Sequence, residues 1–410
     1  MYRAGNQERF CATRKGKKKV ADAPVIDWPG WRGPKNDGRV AWLPDKLPAK
    51  PKILWEKRLT AKTLGGVAAT RDFVLFSDRE LLDTADVFYC VDANTGNDLW
   101  SHTYPAPGNL DYGNAPRATP LIHGDLVFLA SAFGHLFCAE LKTGKILWEK
   151  ELRDEFKATD ERKWGMCSNP LLVDGKLIVN PGGRDASLVA LDPKTGKILW
   201  KTPGKAASYG SFIAGTFGGK RQIVGHDIDS LGGWDVTTGK RLWEVVPARR
   251  GDFNVPTPIQ VGEHLLVTTE NNGTRLFRFK EQGVIDREPI AVNKQLAPDT
   301  HSPVVVGSRV FGIHHRLLCL DLKEKLKPIW TSDDSAFQRY ASIIASEDRL
   351  LVTTLEGELL LLDTRAANLR ELGRWRLFAE EQAGYAHPAL VGSRLYLRGN
   401  MSMVCIELNP

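Results

Sequence analysis

Short apolar runs, each ended by turn residues, pattern most of this chain. Asn169-Pro-Leu-Leu-Val173 is one such run, and Asp174-Gly175 after it is a tight-turn signal. Lys176-Leu-Ile-Val-Asn180 comes next and is broken by Pro181-Gly182-Gly183. Ser187-Leu-Val-Ala-Leu191 is a third run, and Lys197-Ile-Leu-Trp200 a fourth, with a Gly-bearing turn between them. Four β-rich runs divided by glycine turns predict four antiparallel strands, because each run is too short for a buried helix.

This unit repeats. An acid, a Thr-Gly pair and a Trp recur as Asp92, Gly96, Trp100; Glu140, Gly144, Trp148; Asp192, Gly196, Trp200; and Asp235, Gly239, Trp243. Each copy runs eight positions from acid to Trp. Weaker copies end at Trp330, after Asp321, and at Trp375, after Asp363. An early Trp55 stands in Ile53-Leu-Trp-Glu-Lys57, which matches Ile146-Leu-Trp-Glu-Lys150. From Trp55 the steps are 45, 48, 52, 43, 87 and 45 residues, so one Trp is missing, expected near Val284-Ile285-Asp286. A period of about 40–45 residues suits a four-stranded propeller blade. In the repeated turn the carboxylate accepts backbone N–H groups and the glycine supplies a positive φ.

The last unit gives only three strands, residues 386–391, 394–397 and 403–406. Residues 53–57 are the strand it lacks, and pairing there would remove the open edge. The predicted fold is therefore all-β, an eight-bladed β-propeller of four-stranded antiparallel blades closed by an N-terminal strand. Residues 53–410 form the propeller. Residues 28–52 form a Pro- and Trp-rich packing segment with Trp28, Trp31 and Trp42, expected on the outside or bottom. Residues 1–27 form a basic tail.

Composition changes this picture little: 42% hydrophobic and 26% charged residues exclude a disordered or fibrous chain. No apolar run reaches the roughly 18–20 residues of a membrane helix. Charge is more informative. Of the net +7, residues 1–24 carry +5, from seven basic and two acidic side chains, so the body is close to neutral. A neutral body weighs against nucleic acid as a partner. The tail lacks the apolar core of a secretory signal, and three readings of it stand: a disordered leader, a start elsewhere with a signal missing, and a polybasic contact.

Four of the six cysteines, Cys90, Cys138, Cys319 and Cys405, each sit two residues before a turn acid, where Ala190 sits in another unit. They read as one small buried packing slot, not a disulfide or metal set. Cys11 lies in the tail, and Cys167 at the start of an innermost strand. His314-His315 is read against chelation unless the pair lies in a turn, because neighbouring strand residues point to opposite faces. His226-Asp227-Ile-Asp229 reads as a turn cap.

The long connections, such as 101–114 and 150–163, share one face with the starts of the innermost strands, and binding is expected there. The predicted mouth residues are Arg117, Trp164, Asn169, Tyr209, Asn254, His301, Arg339, Tyr340, Tyr385 and His387, with Asn114, Ser211, Thr257 and Ser302 beside them. Asp111, Asp252 and Asp299 are the nearby acids. Aromatic rings with arginines suit a protein contact or a planar anion.

The Asp-x-x-Thr-Gly-x-x-x-Trp unit resembles the tryptophan-docking repeat of pyrroloquinoline quinone (PQQ) propellers. That family includes quinoprotein dehydrogenases and a non-enzymatic lipoprotein scaffold of outer-membrane protein assembly. Trp28-Pro-Gly-Trp-Arg-Gly-Pro34 resembles the opening of exported bacterial proteins with this repeat. The resemblance spans about residues 28–408 and implies the propeller fold and relatives that are commonly periplasmic or exported. It also implies PQQ with calcium as the cofactor of the enzymatic members. Their adjacent cysteine pair is absent here, and their calcium ligands and catalytic aspartate match no motif. The reading is a non-enzymatic, monomeric scaffold that binds protein through its long-loop face, with no metal and no cofactor. The alternative is a PQQ- and calcium-dependent oxidoreductase of an alcohol or sugar, with the quinone on Trp164 and held by Arg117 or Arg339.

Overall fold

The structure is a computed structural model that describes residues 23–158, 163–379 and 384–409. The tail expected at the N-terminus lies almost wholly outside them. Among the described residues the strands form eight antiparallel sheets of four. Blades 1 to 7 span residues 68–105, 121–151, 171–202, 213–245, 259–293, 304–332 and 341–376. Blade 8 takes three strands, Ala389–Val391, Arg394–Arg398 and Ser402–Glu407, and its outer strand is Lys52–Arg58. That strand runs antiparallel to Ser402–Glu407, with Lys52 opposite Glu407 and Arg58 opposite Ser402.

Cross-strand register explains the small slot read from sequence. Cys90 faces Trp100, Cys138 faces Trp148, Ala190 faces Trp200, Cys319 faces Trp330 and Cys405 faces Trp55. Gly233 faces Trp243 in the same way. A wide indole lies across the neighbouring strand, so only a small side chain fits beneath it. A bulge accompanies these pairs in blades 1 to 4, so the residue before each Trp is unpaired. Leu99, Leu147 and Leu199 are bulged residues of this kind, and they are exposed.

The indoles then tie each blade to the next. Trp55 Nε1 donates to the Ala93 carbonyl at 3.1 Å, Trp100 to Leu141 at 2.8 Å, Trp148 to Pro193 at 3.1 Å and Trp200 to Val236 at 3.1 Å. The acceptor in each case is the residue following the turn acid, and the ring lies on the turn glycine. Trp55 is in blade 8 and its acceptor is in blade 1, so the same contact crosses the seam of the ring.

Three tryptophans of the pattern do otherwise. Trp243 donates to Gln222 Oε1 at 2.6 Å, because blade 5 has no Thr-Gly turn to receive it. Trp375 donates to the Pro48 carbonyl at 2.8 Å, a group supplied by the N-terminal segment. The Trp330 nitrogen has no protein acceptor, and the turn it would meet in blade 7, Asp363-Thr-Arg-Ala, has no glycine. The missing Trp is also displaced from the expected place. The outer strand of blade 5 is Ala291–Asn293, and Ala291, opposite Leu276, takes the register that Trp330 holds opposite Cys319 in blade 6, downstream of residues 284–286. Ile285 is instead buried against the blade 4 and 5 core with Phe279.

The turn acids behave as caps. Asp92 Oδ1 accepts from Asn94 N at 2.9 Å, Thr95 N at 2.8 Å and Thr95 Oγ1 at 3.0 Å. Asp235 repeats the geometry with Thr237 and Thr238 and adds a 2.6 Å ion pair to Lys220. Burial alone would push the Asp235 carboxyl up, but the Lys220 bond and the turn N–H groups outweigh it and hold it at about 2. A lowered carboxyl contributes stability above its unfolded value near 3.8, and that contribution is lost as pH falls towards 2. Asp235→Asn is therefore expected to destabilise the protein at pH 5, with the deficit fading by about pH 2. Urea midpoints of both proteins across that window check it, and a deficit independent of pH would count against the charge.

Residues 28–40 cross the channel rather than lying outside. Trp28 and Ala69 exchange two backbone bonds of 2.8 Å in blade 1, and the Pro29 carbonyl accepts from Ile122 N at 2.7 Å in blade 2. Trp31 Nε1 reaches Thr257 Oγ1 at 2.9 Å, and Arg32 Nη2 reaches the Pro303 carbonyl at 2.5 Å. Gly38 and Val40 bond Ala345 on the inner strand of blade 7. The cause is physical: the inner edges of the blades expose unpaired N–H and C=O groups, and this segment satisfies part of them. Residues 43–48 then leave the channel and pack on the outer strand of blade 7, with Leu47 against Gly373.

Candidate functional site

The long-loop face opens into a cavity of about 790 Å³ floored by Trp31. Eight of the ten mouth residues expected from sequence line it: Arg117, Trp164, Asn169, Tyr209, His301, Arg339, Tyr340 and Tyr385. Two do not. Asn254 takes a left-handed backbone, φ +56°, which turns its side chain back to the Asp252 carbonyl at 3.3 Å. Its neighbour Phe253 faces the cavity instead. His387 is buried beneath the plug, stacked on Trp28 at 5.8 Å and edge-on to Trp31 at 5.4 Å. Burial holds its imidazole down at about 3, so it packs as a neutral ring.

The aromatic residues form a continuous arc. Tyr340 meets Tyr385 at 5.0 Å, Tyr385 meets Tyr112 at 6.1 Å, and Tyr112 meets Trp164 at 6.0 Å. Trp164 then packs on Tyr209 at 4.6 Å and on Phe253 at 4.7 Å. Tyr112 and Phe253 were not singled out in the sequence, and both are exposed at the rim. Each sits in a long connection that the repeat does not index.

The polar groups are mostly engaged. Arg117 donates to the carbonyls of Trp164, Ala115, Asp111 and Gly113, so its guanidinium staples two long connections together. Arg339 is largely exposed and lies 3.7 Å from Glu356. Asn169 bonds Ser211 Oγ at 2.8 Å and Thr119 N at 2.6 Å, linking the starts of three inner strands. His301 Nδ1 donates to the Ala341 carbonyl at 2.6 Å, and burial holds it down at about 4. Glu270, in the second hairpin of blade 5, also lines the cavity and was missed, since an isolated acid in a turn carries no sequence signal.

His314 and His315 do lie in a turn, with ring centroids 4.7 Å apart. Each Nδ1 faces a backbone carbonyl, Gln295 at 3.1 Å and Gln338 at 3.3 Å. Asp227 Oδ1 caps its own turn, accepting from Asp229 N, Ser230 N and Ser230 Oγ. The thiols of Cys90, Cys138, Cys319 and Cys405 are free and pushed up to about 12 by burial. Cys167 is partly exposed in the cavity wall.

A calcium–quinone centre needs converging oxygen donors and free cations for three carboxylates. Among the described residues no three His, Cys, Asp or Glu side chains come together as metal donors. Arg117 gives four of its five N–H donors to backbone carbonyls. The described acids and histidines thus form no ready calcium cage, while Arg339 is an exposed cation in the wall.

A second feature rises beside the mouth. The hairpin joining Phe73–Arg79 to Ala85–Asp92 carries Leu81 and Leu82 at its tip, 82% and 80% exposed. Buried Arg79 holds its base through Asp83, Asp86 at 2.5 Å and the Ala106 carbonyl at 2.8 Å. Asp83 in turn accepts from Asn114 at 2.7 Å, on the connection that carries Tyr112.

Comparison with known proteins places this geometry. The family model described as outer membrane protein assembly factor BamB matches residues 83–325. Quinoprotein alcohol dehydrogenase PedH of Pseudomonas putida is 29% identical over 123 residues, 28% of this chain and 19% of that one. The chain thus spans less than a fifth of the length of the first curated relatives. BamB from Moraxella catarrhalis superposes with a TM-score of 0.60 at 14% identity, over 87% of this chain and 100% of that one. Quinohemoprotein alcohol dehydrogenase from Comamonas testosteroni gives 0.67 at 12% identity, over 95% and 82%. At such identities these structures share the fold alone. With more than half of its 410 residues matched by one model, the chain belongs to the PQQ-like repeat family described as outer membrane protein assembly factor BamB.

Proposed function

We propose that this propeller is a non-enzymatic scaffold that binds a protein partner on its long-loop face. One observation carries the reading: two fully presented leucines on a rigidly stapled hairpin stand beside an arc of aromatic rings. Exposed apolar groups on a preorganised support cost little entropy to bury, and aromatic rings dominate interface energies. The family description, an assembly factor, points the same way.

Selection from a displayed random-peptide library tests it. Wild type is expected to enrich peptides that bind the triple variant W164A/Y209A/Y385A at least about tenfold more weakly. Enriched peptides indifferent to those substitutions, and to L81S/L82S, would remove this face as the interface. The curated quinoprotein relatives favour a second reading, a PQQ- and calcium-dependent oxidoreductase of an alcohol or sugar. Calorimetry with PQQ and Ca²⁺ separates the two, because saturable heat with dye reduction by an alcohol belongs to the enzyme only.

A further inference from the structure

We propose that Trp164, Tyr209, Phe253 and Glu270 form a receptor for a cationic side chain, an arginine or lysine presented by the bound partner. This rests on the scaffold reading and names what one corner of the mouth selects. Trp164 is the hub, with Tyr209 and Phe253 packed on it at 4.6 and 4.7 Å. Ring faces carry negative potential and attract a guanidinium or ammonium. The carboxyl of Glu270 is tied to the same trio, since the Phe253 N–H donates to Glu270 Oε1. Its second oxygen, Oε2, is buried with no hydrogen-bond partner. A half-satisfied buried carboxylate is costly, and a cationic donor supplies what it lacks.

Two acids stand on this part of the mouth. Glu270 lies in blade 5 and Asp299 leads into blade 6, on one side of the cavity. Arg117 and Arg339 lead into blades 2 and 7. Burial, reinforced by Asp252 and Asp299, pushes the Glu270 carboxyl up to about 7, against the Phe253 N–H. The group is thus poised where an arriving cation fixes its ionised form. Four of the five Arg117 N–H donors are already taken by backbone carbonyls.

The test uses the full chain and ligand-observed NMR saturation transfer. The probes are acetyl-Gly-Arg-Gly-amide, its citrulline counterpart, and free butane-1,4-diamine. The arginine peptide is expected to bind about tenfold more tightly than the citrulline peptide. Glu270→Gln should remove that preference while leaving citrulline binding and the thermal midpoint unchanged, and Phe253→Leu should weaken it. Equal response to arginine and citrulline, or a preference that survives Glu270→Gln, overturns the receptor. The scaffold reading would then still stand on the peptide selection above. Response to the diamine without response to the arginine peptide overturns the partner-side-chain form and assigns the corner to a free amine.

Discussion

Replacing Arg398 with methionine is expected to lower the unfolding free energy by about 3–5 kcal/mol. Arg398 lies in blade 8 and Asp78 in blade 1, and their side chains meet at 3.2 Å with both buried. The guanidinium also donates to the carbonyls of Ala61 at 2.7 Å and Ser77 at 3.2 Å. Asp78 accepts from Thr60 N at 2.9 Å, Thr60 Oγ1 at 2.8 Å and Ala61 N at 3.0 Å. One buried pair thus joins the first blade, the last blade and the chain leaving the closing strand. Removing only the cation strands a carboxylate in a dry seam. Arg398→Met with Asp78→Asn should be less destabilised than Arg398→Met alone, because no uncompensated charge remains. Denaturant unfolding of the four-member cycle measures this, with hydrogen exchange of residues 52–58 reporting the seam. A single-variant loss below about 1 kcal/mol would refute the latch.

The consequence reaches the binding face through one residue step. Successive strand residues point to opposite faces, so Asp78 turns to the seam while Arg79 turns to the hairpin base. Arg79 fixes the leucine-bearing tip against the connection that carries Tyr112. Closure of the ring and presentation of the interface are thus anchored on adjacent residues. This is a physical reason for the leucine-bearing hairpin to rise from blade 1, which faces the closing blade across the seam.

The blades were legible because each repeats one local rule. A capped acid, a glycine and an outer Trp recur at fixed spacing, and Cys or Ala beneath the indole reports the same register. The mouth was legible only where it continues that count. Arg117, Tyr209 and Tyr385 each sit four residues before an inner strand, so counting back from the strand finds them, while Trp164 stands seven before its own. Phe253 was lost because the neighbouring Asn254 adopts a left-handed backbone and swaps which side chain faces inwards. Tyr112 was lost for a related reason, its own φ of +66° within a long connection. The plug of residues 28–40 had no periodic partner at all. Its place follows from unpaired inner edges, which belong to the closed ring and not to any one segment.

Gly144→Ala is expected to cost about 2–4 kcal/mol, far above the ordinary cost of a surface turn substitution. Two separable effects add. The glycine holds φ +70°, which an L-residue adopts at a penalty of about 1 kcal/mol. A Cβ built there would also stand 2.6 Å from Trp100 Cδ2, against an indole already fixed by its 2.8 Å bond to Leu141. The ring cannot retreat without breaking that bond or lifting from the core between blades 1 and 2. Trp100→Leu divides the terms. In that background Gly144→Ala should cost only the backbone part, so the cycle should show a coupling of about 1–3 kcal/mol. Gly144→Asn sharpens the comparison, since Asn tolerates the left-handed region yet carries the same Cβ. Should Asn be as mild as glycine in the wild-type background, the indole contact would carry no weight and the docking turn would be a backbone device alone. Should Asn and Ala be equally costly, and both recover with Trp100→Leu, the glycine is kept for the indole. The same result is then expected at Gly96 and Gly196, where Trp55 and Trp148 approach to 2.7 and 2.8 Å. At Gly96 the loss should be the larger of the two in its effect on hydrogen exchange across the ring, because that docking pair spans the seam.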